Sequence, residues 1–169
     1  LVGEGEAWVN GALLSGAGAL AAVGLEPLRL VAKEGLSLIN GTQFMAAMAA
    51  LALVRARRLA RTADLACALS LEALQGSRTS FHPAIHAARP LRGQRDSAAN
   101  LTALLEGSAI IESHRWCGRV QDAYSLRCAP QVLGAVADAI RFARVTVTVE
   151  LNASTDNPLV FPEGDVISG

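Results

Sequence analysis

Residues 120–131 read Val-Gln-Asp-Ala-Tyr-Ser-Leu-Arg-Cys-Ala-Pro-Gln, and three chemistry-bearing side chains recur there at every third position: Gln121, Tyr124 and Arg127. On a tight helical turn this spacing stacks an amide, a phenol and a guanidinium on one side. Pro130 follows, and it bars the preceding turn from continuing unchanged. Two hydrogen-bonding groups beside a fixed cation suit a small ligand bearing a carboxylate, because a planar guanidinium grips two oxygens at once. The same residues read equally well as a polar turn that satisfies its own backbone and pairs with Asp122. Asn40, in Asn40-Gly41-Thr42, is a further candidate amide. Its plainer role is capping, at the junction of two helical stretches.

Other candidates carry less. His82 and His86 have the spacing of two metal ligands on a helix, but Pro83 lies between them and no third ligand is near. They read as surface or loop-packing histidines. His114 near Cys117 lacks a third, orienting group for a nucleophile. Gly3-Glu4-Gly5 has no phosphate-loop context.

The elements that position these residues are mostly helical. Ala and Leu dominate a chain that is 51% hydrophobic but 4% aromatic, and small aliphatic side chains let helices approach closely. The fold class expected is mainly α, a long-helix bundle with a small N-terminal β-hairpin. Asn10-Gly11, between Trp8-Val9 and Ala12-Leu13, is the hairpin signal. A short helix is expected over Ala17 to Val23, and another from Pro27 to about Ile39. Thr42 to Gln75 holds no Gly or Pro, and Gly76 follows as a stop. A helix of that length spans about 50 Å, more than one small domain needs, so it is expected to run through a bundle or between subunits. Arg55, Arg57, Arg58 and Arg61 interrupt it and read as a solvated or inter-subunit salt-bridging face. Residues 77–95 read as a loop. Asp96 or Ser97 is expected to cap a helix to about Trp116. Gln131 to about Leu151 is a further helix, although Val145-Thr146-Val147-Thr148-Val149 is β-branched. Asn152 to Gly169 reads as a turn-rich tail.

The 169 residues suit a single segment, and 15 basic against 15 acidic residues argue against a nucleic-acid surface. Cys67, Cys117 and Cys128 form no CxxC pair and read as reduced thiols of a cytoplasmic protein. The longest uncharged apolar run, Phe44 to Val54, falls short of the roughly 20 residues of a membrane span, so no membrane partner is expected. The chain opens Leu1-Val2-Gly3 and closes Ile167-Ser168-Gly169, which reads as an internal stretch of a longer polypeptide.

Several blocks in order resemble the aromatic amino acid ammonia-lyases, the histidine ammonia-lyases especially. They are Gly24-Leu25-Glu26-Pro27-Leu28, Lys33-Glu34-Gly35-Leu36, Leu38-Ile39-Asn40-Gly41-Thr42-Gln43, Val120 to Gly134, and Thr155-Asp156-Asn157-Pro158-Leu159-Val160-Phe161. The resemblance implies part of a larger all-α lyase fold and a homotetramer whose pockets draw on several subunits. It implies elimination of ammonia from L-histidine to give trans-urocanate. The electrophile implied is 4-methylidene-imidazol-5-one, made autocatalytically from Ala-Ser-Gly, a tripeptide this chain does not contain. By the same resemblance Arg127 clamps the substrate carboxylate, and Tyr124 lies beside the prosthetic group. Asn40 orients the prosthetic group and the substrate, and Gln121 is a further polar contact. The isolated segment is therefore expected to be inactive. A tyrosine or phenylalanine lyase, or an aminomutase, on the same scaffold is the alternative within the class, because some tyrosine-specific members share the Tyr124–Cys128 motif. A non-catalytic helical scaffold is the alternative of another class.

Overall fold

The computed structural model describes residues 1–169, and the chain divides into two compact units, each described separately. The first comprises residues 1–42 and 154–169, the second residues 43–153.

In the first unit, β1 (Glu6–Val9) pairs antiparallel with β2 (Ala12–Ser15), Trp8 opposite Leu13 and Val9 opposite Ala12. Asn10 and Gly11 both take positive φ, +49° and +82°, the turn geometry that matches the twist of a two-residue hairpin. The Ser15 hydroxyl accepts from the Gly18 N–H at 3.2 Å and caps α1 (Gly16–Ala22). The helix expected from Pro27 does not begin there. Residues 25–31 are irregular, and only α2 (Glu34–Ile39) is helical. The chain crosses into the left-handed region at Lys33, φ +75°, so a helical run from Pro27 is broken just before α2. The tail is not wholly irregular either: β3 (Leu159–Val160) and β4 (Val166–Ile167) form a second small antiparallel ladder.

The second unit is built on α3 (Gln43–Ala73), 31 residues without a break. Its end differs in detail from the sequence expectation. Gln75 takes the positive φ (+50°), while the Gly76 N–H reaches the Leu71 carbonyl at 2.8 Å and Gln75 reaches Glu72 at 3.0 Å. This is a Schellman stop with glutamine in the left-handed position. Gly76 is needed for space instead, since a Cβ there would meet the Leu71 side chain at 2.8 Å. Residues 77–95 are more ordered than a loop. A 3₁₀ turn, Arg78–Phe81, leads into α4 (Pro83–Ala88), with Pro83 in its first turn and His82 Nδ1 accepting from Ala84 N–H.

α5 (Arg92–Leu104) starts before the caps expected for it. Its N-cap, Leu91, offers no side chain; Asp138 on the helix opposite accepts from the Gly93 N–H at 3.0 Å instead. A carboxylate at a helix N-terminus suits both the free N–H groups and the dipole. The expected continuation to Trp116 is interrupted at Gly107, and α6 (Ala109–Ser113) restarts under a Ser108 cap. α7 (Tyr124–Arg127) and α8 (Ala129–Leu151) complete the unit. The β-branched run stays helical within α8. Leu71, Phe81, Leu101 and Leu105 form the centre of the core, each at most 1% exposed. Burial of this kind contributes about 1.5–3 kcal/mol per large side chain.

Candidate active site

α7 is a single turn held by Leu126, which is buried in the helical core. Anchoring that side chain turns its neighbours outward. Tyr124 is 72% exposed, and the Arg127 guanidinium stacks on its ring 4.0 Å from the centroid. Cys128 closes α7 and opens α8, with Pro130 buried in the first turn of the next helix. Pro130 thus marks the restart as the sequence implied. Gln121 lies outside the turn, in the irregular segment ahead of it. The single stacked face of three groups is therefore a pair, Tyr124 and Arg127, with Gln121 upstream. Gln121 instead lines a 460 Å³ recess with Arg78, His114 and Asp122 among others, a recess that includes neither Tyr124 nor Arg127.

The plainer reading of this segment required Asp122 to pair with the turn. Asp122 is committed elsewhere: it accepts from the Ser77 N–H at 2.6 Å and from Arg119 at 3.3 Å. Arg127 has no acidic partner, and its Nε is buried with no hydrogen-bond acceptor. A buried donor on a permanent cation is costly to leave unpaired. Stacked, half-buried and unpaired, this guanidinium is set up to receive an anion.

Asn40 closes α2 in the first unit, with its backbone N–H bonded to the Leu36 carbonyl at 2.8 Å. Its side chain does not cap a helix. Nδ2 donates to Asp156 Oδ1 at 3.0 Å and faces the Asn157 carbonyl at 3.5 Å. Asp156 also accepts from Lys33 Nζ and from the Ser37 hydroxyl, and these bonds hold its carboxyl well below the usual carboxylate range. Sequence reasoning passed over Lys33, Ser37 and Asp156 as site-forming residues. The signal available was the spacing of Lys33, Ser37 and Asn40 on one helical face.

The remaining candidates have structural employment. His86 is 1% exposed, with Nε2 bonded to the Ser80 carbonyl and Nδ1 to Gln94, both at 3.0 Å. Ser97, expected as a cap, donates to buried Asp64 at 2.7 Å, and Asn100 joins at 3.0 Å. Burial, then Asp64, pushes the Cys67 thiol up, away from the reactive thiolate. No three His, Cys, Asp or Glu side chains cluster as a metal site. The four arginines of α3 divide: Arg57 and Arg61 line a 350 Å³ cleft with Arg144 of α8, and Arg55 and Arg58 do not. Residues 34–73 contain an 18-residue window of mean hydropathy 1.5, a more apolar stretch than the uninterrupted run suggested. Arg57, Arg58 and Arg61 crowd the same helix, and charges of that density are expensive in lipid.

A profile of the aromatic amino acid lyases matches residues 1–169. The chain belongs to that family. Histidine ammonia-lyase of Gloeobacter violaceus is 60% identical over 170 residues, covering 100% of this chain and 33% of that protein. That of Koribacter versatilis is 54% identical, with 100% and 35% covered. Among solved structures, histidine ammonia-lyase from Trypanosoma cruzi superposes with a TM-score of 0.81 at 47% identity, over 99% of this chain and 31% of that one. Tyrosine aminomutase from Streptomyces globisporus gives 0.85 at 39%, over 99% and 36%. This lyase chain spans about a third of the length of the curated relatives it matches. The mainly helical architecture with one N-terminal hairpin is the architecture of those neighbours. Toward the imidazolone group that the family implies, the second unit offers the exposed Tyr124 hydroxyl, a hydrogen-bonding group that suits a polar heterocycle.

Proposed function

We propose that this chain is the substrate-anchoring segment of a histidine ammonia-lyase, which removes ammonia from L-histidine without oxidation and releases trans-urocanate. The observation that carries the reading is Arg127: a guanidinium stacked on Tyr124, with no acidic partner and a buried, unpaired Nε. A carboxylate received there makes two parallel charge-assisted bonds and satisfies the stranded donor. The stack on Tyr124 fixes the plane of the fork, so the carboxylate arrives in one orientation.

The β-proton of histidine is weakly acidic and its amino group is a poor leaving group, so elimination needs an electrophile and a base together. The 4-methylidene-imidazol-5-one group, supplied from outside this segment, provides the electrophile when bound. Tyr124 would contact it, and the family resemblance alone assigns Asn40 the same task. Tyr124 can also donate or receive a proton at its hydroxyl, and Gln121 adds a polar contact. Identity of 54–60% to histidine ammonia-lyases supports histidine as the substrate. The superposition on tyrosine aminomutase keeps a tyrosine- or phenylalanine-directed enzyme as the second reading.

The same reading makes the protein a cytoplasmic homo-oligomer, a tetramer by family resemblance. Three unpaired thiols are compatible with a reducing compartment. The test is turnover by the full-length polypeptide with L-histidine, L-tyrosine and L-phenylalanine, followed at the absorbance of each conjugated product. Trans-urocanate from histidine with negligible product from the other two is expected. Preference for an aromatic ring other than imidazole would move the protein to the second reading.

A further inference from the structure

Arg57 and Arg61 stand one turn apart on α3, and Arg144 lies on α8. These two helices pack against each other and against α5, all within the second unit. Between the three helices runs a cleft of 350 Å³, lined by Arg57, Arg61, Asp64, Asp96, Arg141 and Arg144 among others. Small residues on both long helices, Ala60 and Ala137, keep the space between them open.

The charges in its walls do not balance. Four arginines face two aspartates, an excess of two positive charges in a chain whose formal total is zero. Both carboxylates are already engaged. Asp96 pairs with Arg141 at 3.1 Å, and Arg141 also bonds Asp138. Asp64, 8% exposed, accepts from Ser97 at 2.7 Å and from Asn100 at 3.0 Å. Arg57, Arg61 and Arg144 pair with no carboxylate of the chain. Cations gathered on low-dielectric walls repel one another and raise the local concentration of anions.

Shape narrows the ligand. A flat salt-bridging face would meet a partner's acids one by one, whereas a concave space with cations on two walls encloses a compact anion. The volume lies at the low end for small-ligand pockets. A tetrahedral dianion has oxygens enough to meet arginines of α3 and α8 together, and each guanidinium can supply two parallel bonds.

We propose that the cleft between α3, α5 and α8 binds a phosphate dianion, free or as the headgroup of a small phosphate monoester. Arg57 and Arg61 hold it from one wall and Arg144 from the other. Arg141, tied to Asp96 and Asp138, braces α5 against α8 beside it. The site uses none of the residues assigned to the elimination, so it stands or falls apart from the lyase reading.

The experiment titrates the full-length polypeptide calorimetrically with inorganic phosphate and, separately, with methyl phosphate. Ionic strength is held constant so that general screening cancels. Saturable binding of at least one probe is expected, and the tighter of the two identifies the source, free ion or monoester. Arg57→Gln, Arg61→Gln and Arg144→Gln should each weaken it about tenfold, the worth of one hydrogen bond to a charged group. Arg58→Gln removes an α3 arginine that does not line the cleft, and Kd should then stay within about twofold.

Binding of neither probe by the wild type overturns the proposal, and that arm needs no variant to fold. Equal weakening by Arg58→Gln also overturns it, because the attraction would then be diffuse. Gel filtration tests the remaining occupant, a second copy of the chain. If the cleft variants dissociate the oligomer and the wild type shows no saturable phosphate binding, these arginines meet acids of a neighbouring copy and the site is not one for phosphate.

Discussion

Arg127 owes its chemistry to what surrounds it more than to its charge. A solvated arginine with a carboxylate neighbour contributes little, whereas one stacked on a ring with a buried, unpaired Nε gains from any anion that arrives. Arg127→Ala in the full-length polypeptide should cost about 2–5 kcal/mol of binding or transition-state energy, read as the fall in kcat/KM. Arg127→Lys should recover little of it, because an ammonium cannot copy the two-pronged fork; unchanged kinetics in either variant would remove Arg127 from the site. Tyr124→Phe separates ring from hydroxyl. It keeps the surface on which the guanidinium stacks, so assembly and folding should persist while kcat falls. Loss of the oligomer in gel filtration would make Tyr124 structural instead. Asp156 contributes a pH signature. Its folded pKa lies below its unfolded one, so its stabilisation is complete above the ordinary carboxylate value, about 3.9, and is lost as pH falls toward the folded value. Thermal melts taken below about pH 4 should therefore fall more steeply for wild type than for Asp156→Asn. Parallel curves would show that the network around Asp156 does not stabilise the fold. Arg127, Tyr124, Gln121 and Asn40 could be nominated from the sequence because resemblance attaches roles to single positions. Asp156 could not, because its partners stand more than a hundred residues away and only the fold brings them together.

At the scale of elements, the long helices were legible for a simple reason: α3 and most of α8 lack Gly and Pro, so nothing local competes with helix. The short elements hid behind their own punctuation. Pro83 and Pro90 suggested a loop, yet Pro83 occupies the one helical position where a missing N–H costs nothing, and α4 grows from it. Asp96 and Ser97 had the right chemistry for a cap, but tertiary partners claimed them: Arg141 bonds Asp96 at 3.1 Å, and Asp64 takes Ser97. The cap of α5 came from Asp138, a residue no local rule could nominate. That arrangement needs α5 and α8 in close contact, and two glycines permit it. A Cβ on Gly134 would lie 2.6 Å from the Gly93 carbonyl carbon, which is backbone and cannot swing away. Gly134→Ala should accordingly separate the two helices, stretch the Asp138–Gly93 cap and destabilise the protein by about 1–3 kcal/mol or more. Chemical denaturation of the full-length protein checks this, with Ala137→Gly on the same helix as a comparison that opens no clash. A wild-type midpoint for Gly134→Ala would mean that the crossing is not tight.

The exposed surface of the chain decides how it must exist. Along the first half of α3, Phe44 is 80% exposed, Met45 62%, Met48 57% and Leu51 65%. Apolar patches on this scale mark surfaces that something covers. The relatives are about three times as long as this chain, so the rest of a full-length polypeptide and neighbouring copies have ample area to do so, in keeping with the proposed tetramer. Chemistry points the same way as packing. On the proposed reading Arg127, Tyr124 and Asn40 bind and orient, whereas the chain holds no Ala-Ser-Gly to supply the electrophile. The isolated 169-residue chain should therefore bind an apolar dye such as ANS, associate at micromolar concentration and release no ammonia from L-histidine. The full-length polypeptide should leave the dye unbound, form a discrete tetramer and release ammonia from L-histidine. The two failures of the isolated chain are separable. Dye binding abolished by detergent without any turnover would show that covering α3 restores solubility but not chemistry, whereas measurable turnover by the isolated chain would refute the assignment of the electrophile to another segment.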